Sequence, residues 1–245
     1  MRVLAIDTAT ENCSAALLID GRLSARERLC GRGHAEQILP MADELLAEAG
    51  TSLRTLSAIA FGRGPGAFTG VRLAASVAQG LAFGAGLPVV PVSDLRALAQ
   101  RTLDTGAGVT RVLVCTDARM REVYWGCFER NTQHLAVPVG AEHVGKPESV
   151  SLPAAWSSLA QASAASGGQA MNPPCGVGSG FAAYPSLRAA LEDRIGPVFE
   201  TFLPRASEIV RLAAPEVAAG RVLPAEQALP VYLRDDVTHG AAGGH

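Results

Sequence analysis

An internal repeat is the feature that most constrains the fold. The run Arg-Val-Leu-Ala-Ile-Asp at residues 2–7 returns as Arg-Val-Leu-Val-Cys-Thr-Asp at residues 111–117. Each run is a short apolar stretch that ends in an acid, and each is followed by a polar turn and an outgoing strand. A repeat of this kind indicates two copies of one supersecondary unit. The sequence therefore predicts two similar subdomains, joined near the glycine-containing stretch at residues 105–108.

Each subdomain is expected to open with three antiparallel strands and to continue with alternating helices and strands. Asp20-Gly21 is a strong hairpin signal, and apolar residues at helical spacing predict a first helix that ends at Gly50. In the first half we predict strands at residues 2–7, 13–19, 22–29, 57–61 and 88–92, and helices at residues 34–49, 69–83 and 94–102. In the second half we predict strands at residues 111–117, 122–130 and 134–139, a strand and glycine turn at residues 175–180, and helices at residues 152–165, 185–193 and 206–219.

The predicted fold is α/β, with two similar subdomains flanking a cleft. We expect an N-terminal subdomain at residues 1–104, a C-terminal subdomain at residues 105–235 and a disordered tail at residues 236–245. Whether the last helix packs back on the first subdomain stays open. In this geometry Asp7 and Asp117, each at the end of a first strand, would face the cleft from opposite sides.

Composition narrows the function classes. A formal charge of −2, a pI near 6.2 and a single lysine, Lys146, leave no basic face that would hold nucleic acid tightly without a partner. The five cysteines have no metal-ligand spacing, and their odd number argues against a disulfide framework. The uncharged run at residues 73–93 is broken by glycines and prolines, so it reads as a helix and a strand and not as a membrane span. We expect a soluble, cytoplasmic protein.

The glycine-dense stretch at residues 61–86 has two familiar interpretations, and both are incomplete. Gly62-x-Gly64-x-x-Ala67 satisfies a dinucleotide fingerprint, but no acid follows before Asp94 to hold a ribose. A Walker loop would need a lysine, which this stretch lacks. The favoured interpretation is that the glycines allow unusual backbone angles and tight packing of a strand against a helix. A weaker one is an anion site at the helix N-terminus, where Thr69 is expected to be the N-cap.

The predicted second helix has one nearly bare ridge. Small residues recur along it at four-residue spacing, and these are Gly70, Ala74, Ala78 and Ala82. Such a ridge lets another backbone come close, and two interpretations follow. Either a partner protein packs on the ridge, or the ridge packs inside its own subdomain against the sheet.

The acids at the predicted cleft also have two interpretations. Asp7 and Asp117 would position a metal-bound phosphate or act as general bases, as in an ATP-dependent phosphotransferase. The plainer and favoured interpretation is that each aspartate bonds to the backbone of the turn that follows its strand. The turn after Asp117 contains no glycine that would bring amides near a phosphate. A peptidase lacks support, since Gly178-Ser179-Gly180 misses the hydrolase elbow and no nucleophile–base pair is evident.

Several blocks of the sequence resemble a known family. The blocks are Val3 to Thr10, Gly62 to Arg72, Asp117 to Trp125 and the C-terminal Pro230-Val231-Tyr232-Leu233-Arg234. They are similar to the signature blocks of TsaB, a bacterial subunit of the complex that forms threonylcarbamoyladenosine in tRNA. The resemblance covers residues 1 to about 125 and the C-terminal block, while residues 131–175 carry little recognisable pattern.

The resemblance implies an actin/Hsp70-like fold and a supporting role beside the catalytic subunit TsaD and the ATPase TsaE. That complex transfers threonylcarbamoyl to N6 of the adenosine next to the anticodon. TsaD-like sequences carry two metal-binding histidines where Asp94 and Leu98 stand here. A leucine cannot ligate a metal, so the resemblance implies a chain that kept the fold and lost the chemistry. We expect no cofactor and no metal, with Asp7, Thr8, Asp117 and Gly178 as remnants of a nucleotide cleft.

The resemblance also places a partner contact on the first two helices, as the small ridge does independently. The expected interface residues are His34, Ile38, Leu39, Leu45, Leu46, Gly70, Ala74, Ala78 and Ala82. On this account tRNA binds only through the complex, and no membrane is involved. The sequence leaves open a homodimer when the chain is alone, and a nucleotide at the subunit boundary of the complex.

Overall fold

The computed structural model describes residues 1–106, 108–156, 172–191 and 194–234. Its strands are β1 (Arg2–Asp7), β2 (Asn12–Ile19), β3 (Arg22–Leu29), β4 (Ala58–Gly62), β5 (Val89–Val92), β6 (Arg111–Asp117), β7 (Val123–Arg130), β8 (Ala136–Pro138), β9 (His143–Gly145), β10 (Cys175–Val177) and β11 (Val198–Phe199). Its helices are α1 (His34–Glu48), α2 (Phe68–Ala85), α3 (Asp94–Leu103), α4 (Gly180–Ala183), α5 (Pro185–Leu191) and α6 (Ala206–Ala218).

The strands form two sheets with the same topology. The first has the order β3-β2-β1-β4-β5, and the second has the order β8-β7-β6-β10-β11, with β9 also paired to β7. In each sheet the first three strands are antiparallel, while the fourth and fifth run parallel to the first. The repeat seen in the sequence is therefore a repeat of topology. It confirms the predicted α/β fold of two actin/Hsp70-like halves.

The interior has three hydrophobic cores, because successive side chains of each strand point to opposite faces of its sheet. Val3 and Ala5 of β1 point into a central core, whereas Leu4 and Ile6 point to the opposite face of the sheet, as the two-residue period of a strand requires. The central core lies between the sheets and contains α3 and α6. The outer face of the first sheet is covered by α1 and α2, and that of the second sheet by α4 and α5.

The last helix connects the two halves. α6 follows the second sheet in the chain, yet it packs against β1, β2 and β4 of the first. Its start is held by the hydroxyl of Ser14, which accepts a hydrogen bond from the backbone N–H of Ala206 at 2.9 Å. The side-chain amide of Asn12 donates to the carbonyl of Pro204 at 3.2 Å. The last helix therefore packs back on the first half, the point that the sequence left open.

Several predicted boundaries need correction. Thr69 is not the N-cap of α2, because the helix begins at Phe68 and Ala67 occupies the cap position without a side-chain bond. The N–H of Ala67 itself donates to the carbonyl of Ala9 at 2.8 Å, which anchors the start of the helix to the turn after β1. The short elements β9, β11 and α4 were not predicted. The tail at residues 236–245, the loop at 166–168 and most of the helix at 152–165 lie outside the described residues.

No helix within the described ranges is long and apolar enough to cross a membrane. The uncharged run that begins at Leu73 is divided between α2 and β5 by Gly86, which has a left-handed φ of 68°.

Candidate functional site

The glycine-rich segment between β4 and α2 packs its backbone directly against the turn that follows β1. A Cβ atom added to Gly66 would lie 2.6 Å from the carbonyl oxygen of Ala9, and one added to Gly70 would lie 2.0 Å from that of Thr8. Real Cβ atoms do not approach backbone so closely. The glycines are therefore required for close packing of two backbone segments, which is the interpretation that the sequence favoured.

The same segment encloses a pair of carboxyl groups. Asp7, at the end of β1, and Asp94, at the start of α3, are almost completely buried, and each carboxyl group affects the pKa of the other. A Cβ on Gly62 would meet an oxygen of Asp94 at 2.5 Å and one of Asp7 at 2.6 Å. Glycine at position 62 therefore makes room for the two carboxyl groups. The pairing of Asp7 with Asp94 was not predicted from the sequence.

Each carboxyl group of this pair has one backbone donor and one oxygen without a partner. Oδ1 of Asp7 accepts from the N–H of Ala9 at 2.9 Å, and Oδ2 of Asp94 accepts from the N–H of Gly64 at 2.5 Å. The remaining oxygens, Oδ2 of Asp7 and Oδ1 of Asp94, have no other hydrogen-bond partner. A proton shared between the two side chains satisfies both, because two buried carboxylates side by side cannot both stay ionised.

The pKa values follow from this enclosure. Burial raises the pKa of Asp7 from 3.8 to about 6, against the opposing effect of the Ala9 amide. Burial also raises the pKa of Asp94 well above its usual value, and the charge of Asp7 raises it further. The pair is sealed from solvent, so no substrate reaches it in this conformation. We assign it a structural role.

The other predicted cleft residues are also held by structural contacts. Oδ1 of Asp117 accepts from the N–H of Arg119 at 3.0 Å and from the hydroxyl of Tyr184 at 3.0 Å. The hydroxyl of Thr8 donates to the carbonyl of Gly70 at 2.7 Å. Gly178 has a φ of +111°, and its missing side chain leaves room for the carbonyl of Cys115.

Asp7 and Asp117 thus play the same local part in the two halves. Each accepts a hydrogen bond from the backbone N–H two residues further on, that of Ala9 in the first half and that of Arg119 in the second. This is the bond that the plainer interpretation of strand-end aspartates requires. The structure pairs Asp7 with Asp94, and it engages Asp117 with Tyr184 and Arg119.

Most of the predicted interface residues are buried in the hydrophobic core of the first half. Six of them are buried in the first half, and these are Ile38, Leu45, Leu46, Ala74, Ala78 and Ala82. Gly70 packs on Thr8, and His34 is half-buried with its Nε2 atom 2.8 Å from the carbonyl oxygen of Thr10. Only Leu39 of the nine is exposed. The expectation that the small ridge contacts a partner is therefore corrected: the ridge packs against its own sheet.

A second small-residue row lies on the solvent side of α2. Ser76, Gly80 and Gly84 are exposed at four-residue spacing, and a Cβ on either glycine would meet nothing within 4 Å. Exposed apolar side chains accompany this row, with Phe83 68% and Leu39 of α1 43% exposed. We call these five residues the outer helix face. The sequence pattern was ambiguous because both sides of α2 carry small residues.

Comparison with known proteins identifies the family. A family model described as "TsaD: tRNA N6-adenosine threonylcarbamoyltransferase" matches residues 28–239. The tRNA threonylcarbamoyladenosine biosynthesis protein TsaB of Escherichia coli (strain K12) is 43% identical over 244 residues, covering 97% of this chain and 96% of that protein. The chain belongs to the TsaB family. A Haemophilus influenzae TsaB is 38% identical over 243 residues, covering 97% of the chain and 95% of its own length.

Solved structures agree with the assignment to TsaB. A Pseudomonas aeruginosa protein described by its similarity to the peptidase YeaZ has a TM-score of 0.80 and 43% identity, with 95% of this chain and 99% of that chain covered. A second structure, YeaZ from Pseudomonas aeruginosa, has a TM-score of 0.78 and 41% identity, with the same coverage.

The metal site expected of TsaD-like sequences does not fit this TsaB-family chain. Leu98, at one of the two histidine positions, is buried in the central core. Asp94, at the other, is hydrogen-bonded to Gly64 and paired with Asp7. Within the described ranges, no group of three or more His, Cys, Asp or Glu side chains is arranged to hold a metal ion.

Proposed function

We propose that this chain is a non-catalytic subunit in the biosynthesis of threonylcarbamoyladenosine in tRNA. Membership of the TsaB family supports this pathway, since relatives that match almost the whole chain bear that name. On this proposal the chain binds and supports a TsaD catalytic subunit, acts together with the ATPase TsaE, and meets tRNA through the complex. It works in the cytoplasm.

The observation that carries the non-catalytic assignment is the engagement of every candidate acid at the cleft. Asp7 and Asp94 share a sealed site, and Asp117 is bonded to the turn and to Tyr184. A phosphotransferase would need one of these carboxylates to face substrate or a metal ion. Leu98 removes a ligand at the position where TsaD-like sequences bind metal.

The outer helix face is our proposed contact with the catalytic subunit. Gly80 and Gly84 are open to close approach of another helix, and Phe83 of the same helix and Leu39 of α1 are exposed apolar side chains. Two helices from each chain would then pack as a four-helix interface. The same face would serve a homodimer when the catalytic subunit is missing.

Gly80→Glu tests this contact without endangering the fold. A Cβ at position 80 meets nothing within 4 Å, and replacing glycine inside an exposed helix stabilises it by about 0.5–1 kcal/mol. At a close interface the added side chain would cost about 1–3 kcal/mol, weakening the complex roughly fivefold or more. Gly106→Glu is a matched control, because a Cβ there also meets nothing within 4 Å.

The measurement is the affinity of each purified variant for the TsaD subunit of the same organism. We expect wild type and Gly106→Glu to bind alike and Gly80→Glu to bind weakly while remaining folded. Normal binding by Gly80→Glu would remove the outer helix face from the interface. Failure of the wild-type chain to bind TsaD would contradict the proposed function. Calorimetry with ATP and magnesium tests the rival kinase, which requires micromolar binding that Asp7→Asn abolishes.

A further inference from the structure

Three segments that are distant in the sequence meet at one exposed patch. The ring centroids of Phe68 and Tyr232 lie 6.2 Å apart, and the guanidinium carbon of Arg72 lies 3.2 Å from the first centroid and 5.0 Å from the second. Arg234 donates to the carbonyl of Ala118 at 3.3 Å and contacts the sulfur of Met120 at 3.5 Å. We call the following residues the arginine–aromatic patch: Phe68, Arg72, Arg119, Met120, Arg121, Tyr232 and Arg234.

The patch exposes large apolar side chains that nothing in the described chain covers. Phe68 is 64%, Met120 77% and Tyr232 45% exposed. Arg72 covers one face of the Phe68 ring, and the exposure of that ring leaves its remaining surface open to solvent. Contiguous apolar groups rimmed by polar ones on a protein surface mark binding sites.

The backbone of the patch is strained. Arg119, Met120 and Arg121 have successive left-handed φ values of 63°, 54° and 61°, and such a conformation costs a non-glycine residue about 1–2 kcal/mol. The turn is fixed at both ends, since the N–H of Ala118 donates to the carbonyl of Glu122 at 2.9 Å and Asp117 accepts from the N–H of Arg119. Strain of this kind persists where a conformation is needed for binding.

The patch is positive on a chain whose formal charge is −2. Among the residues that the structure describes, four arginines lie near two carboxylates, those of Asp117 and Glu122, which pair with Arg119 and Arg234. In the described part of the chain, Arg72 and Arg121 have no carboxylate within ion-pair distance. The side chain of Arg119 is 88% exposed, so its guanidinium remains accessible beside Asp117.

We propose that the arginine–aromatic patch binds a single-stranded segment of RNA, such as the unpaired loop of a tRNA. Unpaired bases stack on exposed aromatic rings, and arginines bind the phosphates between them. Phe68 and Tyr232 provide the rings, and Arg119 and Arg121 provide the charges. The choice of tRNA rests on the proposed function. The overall negative charge keeps the contact weak and salt-dependent in the isolated chain, so it supplements binding by the complex.

The test uses the purified full chain and a fluorescent anticodon stem–loop RNA. Anisotropy titrations at low salt compare wild type with Phe68→Ala and with the double variant Arg119→Ala/Arg121→Ala. We expect each to weaken binding by about fivefold or more, from lost stacking or lost phosphate contacts. Arg119→Lys/Arg121→Lys should retain most of the affinity, because lysine keeps both positive charges. Arg54→Ala and Leu29→Ala, at exposed positions outside the patch and outside the outer helix face, should bind as wild type does.

Near physiological salt we expect wild type to bind no more tightly than micromolar. Undetectable binding by wild type at low salt, or equal affinity of the patch variants, would overturn the proposal. Patch variants that bind RNA normally but no longer bind TsaD would show that the patch is a protein contact. That result would also overturn the proposal that it binds RNA. If the patch variants lose RNA binding and the wild-type chain does not bind TsaD, the RNA-binding proposal holds and the proposed function fails.

Discussion

Thr8 contacts the backbone of Gly70 with both its side chain and its own backbone. The Thr8 hydroxyl donates to the carbonyl of Gly70 at 2.7 Å, and the Thr8 carbonyl lies where a side chain at position 70 would begin, 2.0 Å from the ideal Cβ. This contact joins the turn after β1 to the first turn of α2. Close packing of these two backbones explains why glycine stands at position 70.

Gly70→Ala should therefore be strongly destabilising. The added methyl group forces two backbones apart, and we expect a loss of about 2–4 kcal/mol in the free energy of unfolding. Gly80→Ala in the same helix is the control, since a Cβ there meets nothing within 4 Å and should stabilise by about 0.5–1 kcal/mol. Urea denaturation of both variants measures the difference. Equal stability of the two would show that the close approach is not needed.

The Asp7–Asp94 pair should make stability fall as pH rises. The folded pKa of Asp7 is raised to about 6 from 3.8, so the folded protein holds a proton that the unfolded chain releases near pH 4. This contribution is complete below pH 4 and is lost as pH rises through 6. Each unit of pKa shift corresponds to about 1.4 kcal/mol. Since Asp94 is raised as well, the loss extends above pH 6.

Asp94→Asn should remove most of this pH dependence. The amide nitrogen would donate to Asp7 as the shared proton does, while its oxygen would still accept from the N–H of Gly64. We expect the variant to be more stable than wild type by about 1–3 kcal/mol at pH 8, with a smaller difference at pH 4. Urea denaturation at the two pH values provides the comparison. A variant less stable than wild type at pH 8 would contradict the shared proton.

Met120→Gly should stabilise the chain despite removing a side chain. Met120 is 77% exposed and adopts a φ of 54°, which glycine adopts without steric cost. We expect a gain of about 1 kcal/mol, whereas Met120→Ala keeps the strain and should not gain. A melting temperature for Met120→Gly at or below that of Met120→Ala would mean that the turn is not strained.

The repeat was enough to predict the fold. Matching strands at residues 2–7 and 111–117 fix the start of two equivalent sheets, and apolar spacing located α1, α2 and α6 to within a residue or two. The short elements were missed because β9 and β11 have three and two residues, too few to give a period. Their positions depend on pairing with β7 and β10.

The sites were harder to predict than the fold. The sequence marks Asp94 only as the first acid after the glycine-dense stretch and as a replaced ligand, because nothing local indicates that it meets Asp7, which lies 87 positions earlier. The side of α2 that faces solvent was hard to predict because Ala78 and Gly80 belong to rows of equally small residues. Only the position of the first sheet decides which row is buried. The arginine–aromatic patch also depends on tertiary contacts, since Tyr232 and Arg72 are far apart in the chain.

The most direct test of the central claim is reconstitution of threonylcarbamoyl transfer from threonylcarbamoyl adenylate to tRNA, using purified TsaD, TsaE and this chain. Omitting the chain should abolish transfer. Adding back Asp117→Asn should restore the wild-type rate, since asparagine still accepts from the Arg119 amide and no chemistry is assigned to this carboxylate. Transfer that proceeds without the chain would contradict its role as a required subunit. An Asp117→Asn complex that assembles but transfers nothing would contradict its non-catalytic nature.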